Sequence, residues 1–123
     1  MKKICHCDQV PANPVEQPGA SRSKMRLLIG PDDGAPTFAM RQFELEPGGH
    51  TPLHTHDWEH EMYILQGTAT ITVEGQEHIT RPGCCAFVPP NAMHQVTNTG
   101  LIQLKFLCLI PVECSCGCPV KTR

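Results

Sequence analysis

The chain has 123 residues, enough to bury one core and too few for two substantial ones, and its formal net charge of −2 comes from charges scattered without blocks. That pattern argues against a nucleic-acid or anionic-membrane surface. No apolar run nears the ~18 residues of a membrane span, and residues 1–5 lack the apolar stretch of a signal peptide, so a cytoplasmic location is expected. Eight cysteines would read as a disulfide framework in a small secreted protein, but the reducing cytosol favours free thiols or metal thiolates.

Residues 1–23 read as an N-terminal arm, because Pro11, Pro14, Pro18 and Gly19 interrupt it and no apolar period runs through it. From residue 25 the apolar residues come in short runs, none with a sustained 3.6-residue period. Strands are predicted over 25–29, 37–46, 51–56, 60–66, 68–73, 76–80, 85–88, 94–97 and 102–110. Gly, Pro, Asn and Asp punctuate the gaps, as in Pro47-Gly48-Gly49, Glu74-Gly75, Pro82-Gly83 and Pro89-Pro90-Asn91. Residues 24–111 therefore form one all-β domain, a barrel or sandwich, and 112–123 a Cys-rich C-terminal tail.

Histidine supplies the chemistry. The segment His54-Thr55-His56-Asp57-Trp58-Glu59-His60 packs three imidazoles into seven residues. Strand alternation puts His54 and His56 on one face, and after a bend His60, Met62 and Ile64 share a face that Glu61 and Tyr63 do not. His94 begins a later strand directly after Pro89-Pro90-Asn91. Inward histidines are costly to bury without a partner, and a transition metal supplies one. His6, His50 and His78 stand alone and read as surface or hydrogen-bonded residues.

The stretch from Gly48 through His54 and His56 to Gly67 resembles the first cupin motif, G(X)5HXH(X)3,4E(X)6G, and Gly83 through Pro89 and His94 to Asn98 resembles the second, G(X)5PXG(X)2H(X)3N. The resemblance implies an antiparallel double-stranded β-helix, the jelly-roll of a cupin barrel, binding one divalent transition metal: Mn, Fe, Ni, Cu or Zn. It also implies two open coordination positions and a homodimer with a small-molecule ligand or substrate. Two positions depart from the pattern. His60 stands where most metal-binding cupins place glutamate, and a shifted alignment would make Glu61 the ligand, although strand alternation favours His60. Asn91 replaces a glycine, a mild change because asparagine also adopts the left-handed conformation.

The expected ligand set is thus His54, His56, His60 and His94, four neutral donors that leave the ion's charge uncompensated and raise its Lewis acidity. Metal release is expected below about pH 6, where reference imidazoles protonate. Arg41 shares parity with Phe43 and Leu45, so it either meets an anionic substrate inside or sits at a solvated edge. Cys108 shares parity with Leu104 and Phe106, which makes it a pocket candidate or a small core residue. Trp58 and Phe87 either shape the pocket mouth or simply pack. Cys5 and Cys7 with Cys114, Cys116 and Cys118 offer a second metal site if the termini meet, though CXC spacing fits zinc sites poorly. The first functional expectation is a metal-dependent, dioxygenase-like oxidoreductase. A non-catalytic binding module and a cupin isomerase or decarboxylase are the alternatives.

Overall fold

In the computed structural model, which describes residues 2–121, nine strands build one curled antiparallel sheet. In chain order they are β1 (Asn13–Pro14), β2 (Ser21–Ile29), β3 (Phe38–His50), β4 (His60–Gln66), β5 (Ala69–Val73), β6 (Gln76–Thr80), β7 (Cys85–Val88), β8 (His94–Asn98) and β9 (Leu104–Pro111). The hydrogen-bonded order is β6-β5-β8-β3-β9-β4-β7, with β2 on β3 and β1 on β2. Short 3-10 turns occupy Cys7–Gln9 and Pro31–Asp33. The sheet curls into the jelly-roll of the predicted fold class. No helix among the described residues is long and apolar enough to cross a membrane.

Alternation decides which side chains fill the barrel. Along β4, His60, Met62 and Ile64 are buried while Glu61, Tyr63 and Leu65 are exposed. Along β9, Leu104, Phe106, Cys108 and Ile110 are buried between half-buried neighbours, with Lys105 on the outer side as its parity predicts. Phe43 and Phe106 stack in the core with ring centroids 5.1 Å apart. Asn98, which ends the second motif, is buried and braces the fold: its amide donates to the carbonyls of Leu45 (2.8 Å) and Ile102 (2.9 Å).

Three expectations require correction. Residues 51–56 form no strand; only His54 makes a bridge, to His94, because Pro52 has no N–H to donate and interrupts the ladder. Pro47-Gly48-Gly49 is no loop between elements but a kink inside β3, which pairs Leu45 with Ser23 and then His50 with Ser21 and Thr97. Gly49 permits that crossing, since a Cβ there would lie 2.7 Å from the Arg22 carbonyl oxygen. Finally, β2 begins at Ser21 rather than at residue 25, and the segment before it is ordered, with β1 antiparallel to β2.

A partly buried ion pair fixes that N-terminal segment. Arg26 Nε donates to Glu44 Oε2 at 2.6 Å, and Arg26 Nη1 donates to the carbonyls of Val10 (2.6 Å) and Cys7 (3.2 Å). At the other end Val120 is buried, and its N–H donates to the Val112 carbonyl at 2.8 Å.

Candidate metal centre

His60 opens β4 and His94 opens β8, while the irregular segment after β3 crosses them. Two reciprocal backbone bonds tie that segment down, His54 N–H to the His94 carbonyl (3.1 Å) and His94 N–H to the His54 carbonyl (3.0 Å). Asn91 N–H donates to the His56 carbonyl at 2.7 Å, and its φ of 68° is the left-handed value that its replacement of glycine demands. Ligand nitrogens of His54, His56, His60 and His94 consequently all lie within 4.8 Å of one another. His60 and His94 are buried and His54 and His56 half-buried, whereas Glu61 is exposed on the outer face, which excludes it from the cluster.

Backbone carbonyls fix the tautomers of two of the rings. His56 Nδ1 lies 2.8 Å from the Trp58 carbonyl and His94 Nδ1 lies 2.8 Å from the Ala92 carbonyl, so each Nδ1 carries the proton and each Nε2 keeps its lone pair. His60 Nδ1 sits 3.0 Å from Cys108 Sγ, which also accepts from Arg41 Nη2 at 3.1 Å. Arg41 Nη2 also lies 3.4 Å from His60 Nδ1, and the Nε2 atoms of His56 and His60 face each other at 2.8 Å, a contact bridged either by one proton on His60 Nε2 or by a cation held between two lone pairs. Ligands at right angles, each ~2.1 Å from one ion, are about 3 Å apart, so the donor set fits a transition metal.

Electrostatics agree with this assignment. Burial, then the charges that His94 and His54 would carry, push His56 down to about 4, although its bond to Trp58 works the other way. His60 is pushed down to about 2, first by burial and then by the Arg41 guanidinium. His54 and His94 are also lowered, burial being the first cause in both. Neutral imidazole is thereby the stable form, which is the form that ligates.

Beside the rings is a cavity of about 40 Å³ lined by residues that include Arg41, Phe43, Met62, Val96, Phe106 and Cys108. Arg41 is the only charged side chain lining it among the described residues. Its guanidinium points inward, 4.9 Å from the Phe43 ring centroid, and its buried Nε has no hydrogen-bond partner. Cys108 is 1% exposed, and burial raises its thiol pKa while Arg41 pulls it back. Trp58 stacks on His56 at 4.0 Å, orienting that ligand, whereas Phe87 is exposed on β7.

Val15 and Gln17 also line the cavity, a contribution not legible in the sequence. They belong to the Pro-rich segment, where no periodicity marks an inward face. The five terminal cysteines are not brought together. Cys114, Cys116 and Cys118 gather among themselves, Cys7 groups with His6 and Asp8, and Cys5 joins neither group among the described residues.

Such a barrel, with four histidines converging inside it, defines a β-barrel of the jelly-roll class with a candidate metal site. The chain belongs to the cupin family: the Cupin_2 family, described as the cupin domain, matches residues 41–110. The solved structure of the polyketide cyclase RemF from Streptomyces resistomycificus overlays it with a TM-score of 0.87 at 34% identity, covering 100% of this chain and 88% of that one. An uncharacterized protein of Methanocaldococcus jannaschii is 34% identical over 62 residues, 50% of each chain. The oxalate-binding protein of Thermotoga maritima is 33% identical over 70 residues, 56% of this chain and 58% of that one. The chain thus spans about half the length of these two curated relatives.

Proposed function

We propose that the protein is a metal-dependent cyclase acting on a small, carbonyl-rich linear substrate of the polyketide class. The observation that carries this reading is the donor set: among the described residues, four neutral imidazoles and no carboxylate, in an apolar cavity whose single charged lining residue is Arg41. A divalent metal bound by His54, His56, His60 and His94 would supply Lewis-acid polarisation of a carbonyl oxygen. Phe43, Met62, Val96 and Phe106 exclude water, and Arg41 holds the oxyanion that develops when an α-carbon loses its proton. Ring closure then joins that carbon to a second carbonyl carbon, whose oxygen takes up the proton that the α-carbon released, so the step is proton-neutral. Full-length similarity to a polyketide cyclase supports the substrate class.

The dioxygenase-like oxidoreductase reading predicts oxygen uptake at the same centre. Against it stand Cys108 and Met62, two oxidisable sulfur side chains lining the cavity. The test is product analysis after incubating metal-loaded protein with linear poly-β-ketone thioesters, in air and under argon. Cyclised product at equal rates in both supports the proposal, and oxygen consumption coupled to turnover refutes it. Stoichiometric binding without turnover would instead favour a binding module. An Arg41→Met variant should lose about 100-fold in turnover while retaining its metal, the scale seen on removing one oxyanion donor. We assign the protein to a reducing compartment such as the cytoplasm, which suits its eight unpaired cysteines.

A further inference from the structure

The C-terminal tail carries chemistry that ring closure does not use. After β9 the chain turns back on itself: Val112 N–H donates to the Thr37 carbonyl (3.0 Å), Glu113 bridges to Pro119, and Val120 returns to the core. Within this loop Cys114 N–H donates to the Cys118 carbonyl (2.8 Å) and Gly117 N–H to the Cys114 carbonyl (2.9 Å). Gly117 has a φ of 83°, a left-handed value that a side chain would strain. The closed loop aims all its sulfurs at one point. Cys116 Sγ is 2.6 Å from Cys114 Sγ and 3.0 Å from Cys118 Sγ, and all three sulfurs lie within 4.8 Å of one another. None of these cysteines is in a disulfide.

We propose that Cys114, Cys116 and Cys118 form a second metal site, a trithiolate that takes the soft monovalent cation Cu(I). Three sulfurs around one ion at a metal–sulfur length of ~2.3 Å sit about 4 Å apart, which this loop reaches by opening slightly. Structural zinc sites take four protein ligands, and among the described residues no fourth His, Cys, Asp or Glu joins the group. Thiolate is the soft donor that selects Cu(I), whereas the imidazole cluster suits harder divalent ions. The two sites share no residue, so one chain sorts metals by softness. Cys116 and Cys118 are exposed, which lets an ion enter and leave without unfolding the barrel.

Reduced, metal-free protein titrated with Cu(I) under argon, against the chelator bicinchoninate, tests this. The expected result is one Cu(I) per chain with thiolate-to-copper charge-transfer absorption. The signal should be unchanged in His56→Ala and in the double variant Cys5→Ser/Cys7→Ser. It should vanish in the triple variant Cys114→Ser/Cys116→Ser/Cys118→Ser, whose fold is checked by circular dichroism and by metal retention at the histidines. Persistence of the absorption in the triple variant overturns the site, as does its loss in the Cys5/Cys7 variant. A tail that thiol counting finds as a disulfide after equilibration with a cytosolic glutathione mixture also overturns it.

Discussion

At the scale of single residues, the cavity depends on imidazoles that stay neutral. A histidine whose folded pKa lies below its unfolded value near 6.5 binds fewer protons folded than unfolded, so stability falls as pH drops. For His56 that window runs from about 6.5 down to about 4, and for His60 it extends to about 2. Metal-free protein should therefore show a melting temperature that is level above pH 7 and declines steadily from pH 6.5 to 4. A flat profile across that range would contradict the assigned burial. The expectation of metal release below about pH 6 moves lower for the same reason, because folded imidazoles compete poorly for protons. Cys108 makes a second residue-scale prediction. Its sulfur lies 3.0 Å from His60 Nδ1 and so orients that ring, and Cys108→Ala should weaken metal affinity about 10-fold, the effect of losing an outer partner. Competition with a chelator measures it, and unchanged affinity would show that sulfur does not position the ring.

At the scale of elements, the N-terminal segment closes the barrel and Arg26 keeps it there. A space of about 40 Å³ holds one or two waters, far less than the proposed substrate, and that reading requires Val15 and Gln17 to lift before it enters. Burial raises the Glu44 pKa, but hydrogen bonds from Arg26 and Gln42 outweigh it and hold the carboxylate ionised. Arg26→Ala strands that charge and releases the carbonyls of Val10 and Cys7. It should cost about 2 kcal/mol in urea unfolding, the scale for losing hydrogen bonds to a charged group, and expose residues 8–18 to proteolysis. Wild-type stability and protease resistance would contradict this. None of it was legible in the sequence, because a Pro-rich segment has no period and its position follows from bonds to a residue in β2. The histidine cluster was legible, since alternation along β4 separates His60 from Glu61 whatever the rest of the chain does. Residues 51–56 show the converse: His54 and His56 converge as expected, but through bonds to His94 and Asn91 rather than through a strand.

At the scale of the whole molecule, the jelly-roll brings together four candidate ligands drawn from three places in the chain. Gly, Pro and Asn at the turns, together with apolar alternation, made that architecture readable. The kink at Pro47-Gly48-Gly49 was not, because a strand that changes partners looks locally like a turn. A homodimer is proposed on family resemblance, and light scattering should give twice the 13.6 kDa chain mass, a monomer mass refuting it. The metal is the central prediction. Elemental analysis of protein purified without chelators, repeated on His60→Ala and His94→Ala, tests it directly, with the tail cysteines replaced by serine in every sample. One divalent transition-metal ion per chain, lost or sharply reduced in both variants, is the predicted result. A metal-free protein that takes up no added divalent ion, or variants that retain the full amount, would contradict it.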